Sequence, residues 1–239
     1  MAIFIDLALL TLILMALLSL LLYPKPTTNV QLTTAGSNNS NLTNSAISAG
    51  SLQSLICLAG FGCCVAMALP LAHMVAHVSD LGYDYATGAR LLSLMLATAG
   101  ISAFFGVGFL GRRYGGLKTI LIFSAIQGFF LFALIFADDI WMIYVVAIFF
   151  GVGYGGVLPC YPVIVREFLP ASQVGRRTAL VILCASGGMA LGSWIGGALY
   201  DASGSYSLAF TIGVGFNIFN LFIIGYLIHR NSSRKDAFA

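Results

Sequence analysis

Ile120-Leu-Ile-Phe-Ser-Ala-Ile-Gln-Gly-Phe-Phe-Leu-Phe-Ala-Leu-Ile-Phe136 carries no charge. After Ala137-Asp138-Asp139 the chain resumes with Ile140-Trp-Met-Ile-Tyr-Val-Val-Ala-Ile-Phe-Phe150. A strand of a membrane barrel would alternate apolar and polar residues over about ten positions; these runs do not alternate. Their length suits a helix crossing a bilayer core, which takes roughly 20 residues at 1.5 Å each. The same pattern recurs along the chain, and spans are predicted at 3–23, 53–78, 88–110, 117–137, 141–165, 177–200 and 206–228. Charged residues make up 8% of the sequence and hydrophobic ones 59%, against about 25% charged in a soluble domain. Lipid therefore surrounds most of this protein, and helices satisfy the backbone there internally. The fold class is an all-α membrane protein with seven transmembrane helices.

The polar breaks set the orientation. Lys25, then Arg112, Arg113 and Lys118, then Arg166, Arg176 and Arg177, then Arg230, Arg234 and Lys235 occupy every second break and the tail, ten of the 11 basic residues. The opposite breaks hold Asp80, Asp84, Asp138, Asp139 and Asp201 and no Lys or Arg, with Arg90 just inside the third span. Positive residues stay on the cytoplasmic side, so the C-terminus is expected in the cytoplasm and the N-terminus outside. The formal charge of +3 then follows from topology and implies no nucleic-acid partner.

An outward N-terminus without a basic cluster before the first span is unusual, and nothing there reads as a signal peptide. The expectation is that the first span is an internal helix of a chain that once continued upstream. Residues 24–52 are rich in Ser, Thr, Asn and Gly and read as a flexible cytoplasmic linker. The domains are thus an isolated helix at 1–23, the linker at 24–52, a six-helix bundle at 53–228 and a cytoplasmic tail at 229–239. Asn-x-Ser/Thr matches within 38–43 are inert on a cytoplasmic loop. Cys57, Cys63, Cys64, Cys160 and Cys184 all fall inside spans without metal-ligand spacing and read as small buried hydrophobes. Neither metal nor cofactor is expected.

Few polar groups interrupt the spans. His73 and His77 are four apart on one helix face, beyond Pro70; they either bind solute or protons or bond neighbouring helices. Arg90 either pairs with Asp84 or Asp80, or attracts an anion, or snorkels to the rim. Gln127, Asn217 and Asn220 read as interhelical glue. Gly151, Gly153, Gly155 and Gly156 with Pro159 and Pro162 mark either a hinge or close packing. Gly188, Gly192 and Gly196 form a ridge that close packing explains.

The most specific local pattern is Gly108-Phe-Leu-Gly111-Arg112-Arg113-Tyr-Gly115-Gly116-Leu-Lys118. Gly115-Gly116 permits a tight reversal, and Gly108 is expected to admit a neighbouring helix. The segment resembles the signature loop of major facilitator superfamily transporters, Gly-x-Leu-Ala-Asp-Arg-x-Gly followed by basic residues. Three further stretches resemble the monocarboxylate-transporter-like bacterial branch. Ala68-Leu-Pro-Leu-Ala-His73-Met-Val-Ala-His77-Val-Ser-Asp-Leu-Gly82-Tyr83 is similar to its seventh helix. Gly155-Gly-Val-Leu-Pro-Cys-Tyr161-Pro-Val-Ile-Val-Arg166-Glu167-Phe-Leu-Pro170 is similar to the end of its tenth. Gly188 to Asp201 with Gly204-Ser-Tyr206 is similar to its eleventh helix and exit loop.

The resemblance implies that residues 53–228 are the C-terminal half of a twelve-helix transporter in a bacterial inner membrane. The first span is then its sixth helix, and a solute site lies between the halves. His73, His77, Arg90 and Tyr161 are the candidate solute-binding residues. Gly108, Arg112, Arg113, Gly115, Lys118, Glu167 and Arg177 are the candidate gating set. The sequence departs from the family in two places. Arg112 replaces the acid that locks the cytoplasmic gate in the family, leaving Glu167 to offset Arg113, Arg176 and Arg177. Phe104 replaces an Arg that carboxylate carriers of this branch often place about four residues before Gly108.

The implied function is transport of a small organic solute, with carboxylates among the candidates, by alternating access. Lipid is one partner, and a companion chain or second copy supplying the missing helices is another. The alternative is a non-transporting remnant or accessory subunit. No span contains the Lys of a retinal protein. No His-Glu-x-x-His run or placed Ser–His pair supports an intramembrane enzyme.

Overall fold

A computed structural model gives the fold and describes residues 48–235. The predicted span at 3–23 and the linker up to residue 47 lie outside the described residues, as do residues 236–239. Among the described residues every regular element is helical, and six helical spans are long and apolar enough to cross a membrane. The first is α1, Ala49–Asp80. The second joins α2, Tyr85–Ile101, through a π-helical turn, Ser102–Gly106, to α3, Val107–Tyr114. The third is α4, Gly116–Leu134. The fourth joins α5, Ile140–Gly155, to α6, Val157–Phe168. The fifth and sixth are α7, Val174–Ser203, and α8, Ser207–Lys235. α1 begins four residues before the expected start at 53.

Short polar side chains start these helices, as orphan N–H groups require. Ser48 accepts from the Ser51 N–H at 3.1 Å, Asp84 from Thr87 at 3.0 Å and Asp139 from Trp141 at 3.0 Å. The fourth span breaks at Gly156 because Pro159 offers no N–H to the Gly155 carbonyl and crowds it. Large apolar side chains stay exposed, among them Phe104, Phe109, Trp141, Trp194 and Phe222. In water this would be anomalous; against acyl chains it is the expected surface.

The packing repeats with inverted direction. α1 packs most extensively on α7, and α2 packs closely on α5. Cβ atoms built on Gly188, Gly192 and Gly196 would run into Phe61, Val65 and Leu69 in that order. On Gly151 and Gly155 they would run into Met95 and Ala99. Ascending order on both partners makes each pair parallel. α1 also packs on α8, the fourth span on α4, α4 on α8, α1 on α2, and α6 on α7. Exchanging the first three spans for the last three maps this network onto itself. α1 starts where Arg177 donates to the Ala49 carbonyl, at the basic end, whereas α5 starts at Asp139, at the acidic end, so the second set runs upside down. The second and fifth spans are equivalent under the exchange. Each has only 28% of its most apolar stretch buried, against 67% for α1. They present the least covered face.

Two apolar clusters fill the bundle. One, toward the acidic end, includes Met95, Leu131, Ile143, Phe150 and Phe210; the other, toward the basic end, includes Ile56, Ile120, Val157, Tyr161 and Ile224.

Candidate functional site

At the boundary of the two clusters lies a buried polar seam. The Gln127 amide donates to the Cys63 carbonyl at 3.2 Å, and the Cys63 thiol donates to Gln127 Oε1 at 3.4 Å. Asn220 Nδ2 donates to Ser124 Oγ at 3.0 Å, and that hydroxyl lies 3.7 Å from the Cys63 sulfur. Ser124, Gln127, Asn217 and Asn220 are all fully buried. The seam ties α1, α4 and α8 together, the interhelical role expected of these amides. Asn217, packed where Gly128 leaves room, keeps both amide atoms unpartnered, as does Asn220 Oδ1. Both Asn side chains face inward.

The two histidines sit one turn apart near the acidic end of α1 and meet α7 and α8. His73 Nε2 lies 2.9 Å from the Ser193 carbonyl, and its ring covers Gly196. It also stands 5.2 Å from the Tyr206 ring. His73 is therefore committed to the α1–α7 contact. His77 is edge-on to Phe210 at 5.1 Å and to Tyr206 at 5.9 Å, and its buried Nε2 has no partner. Tyr206 stacks on Tyr200 at 4.4 Å.

Arg90 is exposed on α2. Its expected partner Asp84 is spent on capping: it accepts from both the hydroxyl and the N–H of Thr87. Those two bonds hold the Asp84 carboxyl below the usual carboxylate range, with Arg90 a smaller contributor. Tyr161, on α6, is fully buried with the hydroxyl end of its ring against Gly60, and that hydroxyl has no partner. Gly60 and His73 are 13 residues apart on one helix, roughly 20 Å at 1.5 Å per residue. The structure thus brings His73 and His77 together with Tyr206, and leaves Arg90 and Tyr161 elsewhere.

The residues named as candidates for gating lie at the basic end. Gly115 joins α3 to α4 with φ 77° and ψ 167°, a conformation open essentially to glycine alone. Its N–H returns to the Gly111 carbonyl at 3.0 Å, so the pair Gly115-Gly116 does make the tight reversal. Gly116 lies so close to α6 that a Cβ would come within 2.7 Å of Ile164 Cγ1. Both carboxylate oxygens of Glu167 sit 3.0 Å from the Gly116 N–H. A negative group at a helix N-terminus is favourable, and Glu167 is used there as a cap for α4.

Gly108 does not admit a neighbouring helix: it is exposed, and a Cβ would meet nothing within 4 Å. The close approach falls two residues earlier, where a Cβ on Gly106 would come within 2.7 Å of Phe123 Cζ. The π turn at 102–106 re-phases the span, and Ser102 inside it donates to the Val152 carbonyl at 2.6 Å. Hydrophobicity patterns carry no signal for either feature. Arg112, Arg113 and Lys118 are exposed, with Arg113 over the Tyr114 ring at 5.6 Å. Arg177 Nε donates to Gln173 Oε1 at 2.8 Å, and its Nη1 to the Ala49 carbonyl at 3.3 Å. Gln173, Arg176, Arg177 and Leu180 line a cavity of about 190 Å³ at the start of α7.

The glycines of the fourth span are packed: Gly151 and Gly155 against α2, Gly153 and Gly156 against Gln127 and Phe123 of α4. Among the described residues no cluster of His, Cys, Asp or Glu is arranged to hold a metal ion.

Comparison with known proteins places this geometry in a family. The family model described as Major Facilitator Superfamily matches residues 54–239. Monocarboxylate transporter 13 of Rattus norvegicus is 28% identical over 153 residues, 62% of this chain and 35% of that protein. The MFS transporter asaE of Aspergillus flavus is 30% identical over 141 residues, 58% of this chain and 32% of that protein. Monocarboxylate transporter 13 of Bos taurus is 27% identical over 153 residues. The match spans about a third of the length of these relatives. With the match covering most of the sequence and six apolar helices accounting for it, the chain belongs to the major facilitator superfamily.

Proposed function

We propose that residues 48–235 are the C-terminal half-bundle of a major facilitator transporter, preceded by a seventh span at 3–23, and that the chain moves a small organic solute by alternating access. Membrane transport is the activity of the family; the half-bundle and the solute class are this proposal. The observation that carries it is the inverted packing network, which matches the inverted three-helix repeats of such halves. The least covered spans, the second and fifth, are equivalent under that exchange and supply the face that would meet a companion half. The companion is a second chain or a second copy. A carboxylate is the favoured solute class because two relatives carry the name monocarboxylate transporter. Phe104 in place of the branch's Arg argues that any anion is held by other groups, with Arg90 the exposed cation on the same span.

Arg112, Arg113 and Arg177 at the α3–α4 and α6–α7 junctions form a gate without an ionised lock of its own, since Glu167 caps α4. The basic end faces the cytoplasm and the N-terminus lies outside, in a bacterial inner membrane. A second reading, a non-transporting remnant or accessory subunit, draws on one observation: His73, Arg90 and Tyr161 do not converge. The test is uptake of radiolabelled monocarboxylates into proteoliposomes, with the chain alone and together with a six-helix N-terminal partner from the same membrane. Uptake above empty vesicles in either arm supports transport; none in both supports the accessory reading.

A further inference from the structure

The α1–α7 seam continues beyond its glycine ridge toward the basic end. Gly188 lies on Phe61 and Gly192 on Val65. One turn back on each parallel helix, the register places Cys184 opposite Cys57. A Cβ on Gly188 would overlap the Phe61 carbonyl, so the two backbones run about as close as helices can. An interhelical disulfide needs such an approach, with Cα atoms about 5.5–6 Å apart. Gln53 Nε2 bonds the Arg177 carbonyl on α7 at 3.1 Å and the Cys57 sulfur at 3.4 Å, which holds that sulfur in the seam. Cys63, Cys64 and Cys160 are buried, whereas Cys57 and Cys184 are only half-buried. A small oxidant therefore reaches this pair first.

We propose that Cys57 and Cys184 are a redox modification site, converted by a hydroperoxide into a reversible disulfide that staples α1 to α7. One sulfur gives its electron pair to the peroxide: an S–O bond forms, the O–O bond breaks, and a sulfenic acid and an alcohol (water, for hydrogen peroxide) result. The second thiol attacks that sulfur: the S–S bond forms, the S–O bond breaks, and the displaced hydroxide takes the thiol proton and leaves as water. The two sulfurs lose one electron each, and the peroxide takes up both. The staple fixes the end of the seam where Arg177 holds the Ala49 carbonyl. It does not depend on what the protein transports.

The experiment treats the purified full-length chain in detergent with hydrogen peroxide and counts free thiols by polyethylene-glycol maleimide shift after denaturation. Five adducts are expected before oxidation, one for each cysteine. Two should be lost on oxidation and restored by dithiothreitol. Cys57→Ser and Cys184→Ser should each lose none, and Cys63→Ser should still lose two. An unchanged count, an equal loss in Cys57→Ser, or a pair formed only between two molecules on a non-reducing gel overturns the proposal. If a variant folds poorly, mass mapping of the oxidised wild type decides: a peptide linking 57 to 184 sustains the site, and any other linkage removes it.

Discussion

Two glycines in one loop behave in opposite ways, and a single methyl group separates them. Gly115 holds φ 77° and ψ 167°, so Gly115→Ala should cost about 1–3 kcal/mol of strain. Gly108 is exposed, helical and without neighbours. There Ala should be neutral or stabilising by up to about 1 kcal/mol. Melting temperatures of the two variants in detergent should move apart, and parallel shifts would contradict this account of the loop. Gly188→Ala is a third case, since its methyl would overlap the Phe61 carbonyl and force α7 off α1. Overpacking of this kind costs about 1–3 kcal/mol. Asp84 adds a pH-dependent contribution. Its carboxyl is held below the usual range by Thr87, so the native state favours the ionised form. The resulting stability is complete above the ordinary aspartate value of about 3.9 and is lost as pH falls through the depressed folded value. The melting temperature of Asp84→Asn should lack that acid-side slope, which wild type retains.

Helices and their ends account for what the sequence did and did not disclose. The six described spans were legible because lipid demands continuous apolar runs, and caps at Ser48, Asp84 and Asp139 accompany starts that fall one to four residues before the predicted ones. The Gly188–Gly196 ridge was legible because four-residue spacing has a direct packing meaning. The glycines of the fourth span were ambiguous, since a glycine facing a neighbour and a glycine in a hinge look alike until the neighbour is known. The π turn at 102–106 was invisible, because it changes phase without changing composition. The cap made by Glu167 was hidden for a similar reason: the sequence shows it beside Arg113, Arg176 and Arg177, whereas the fold also brings it to the open end of α4. Removing its charge in Glu167→Gln should weaken the start of α4 by about 0.3–1 kcal/mol. Faster amide exchange should appear at residues 116–119 and leave α8 unchanged, and uniform exchange across the bundle would point to a different role.

At the scale of the whole bundle, the inverted repeat is plain in the packing and absent from the sequence. Close approach is delivered by glycines on the later-numbered helix in both pairs, α7 against α1 and α5 against α2, so corresponding positions of the two repeats need not share residues. That architecture makes a sharp demand on topology. α1 begins, α3 meets α4 and α6 meets α7 at one end, which carries Arg112, Arg113, Lys118, Arg166, Arg176 and Arg177. The turns at Gly82 and Gly204, both with positive φ, lie at the other with Asp80, Asp84 and Asp201. Positive residues stay on the cytoplasmic side, so Gly82→Cys and Gly204→Cys should react with a membrane-impermeant maleimide in intact cells. Arg112→Cys and Arg176→Cys should react only after permeabilisation. Labelling of both groups from the same side would break the alternation of spans, and labelling with the sides exchanged would place the basic end, with Arg112 and Arg177, outside.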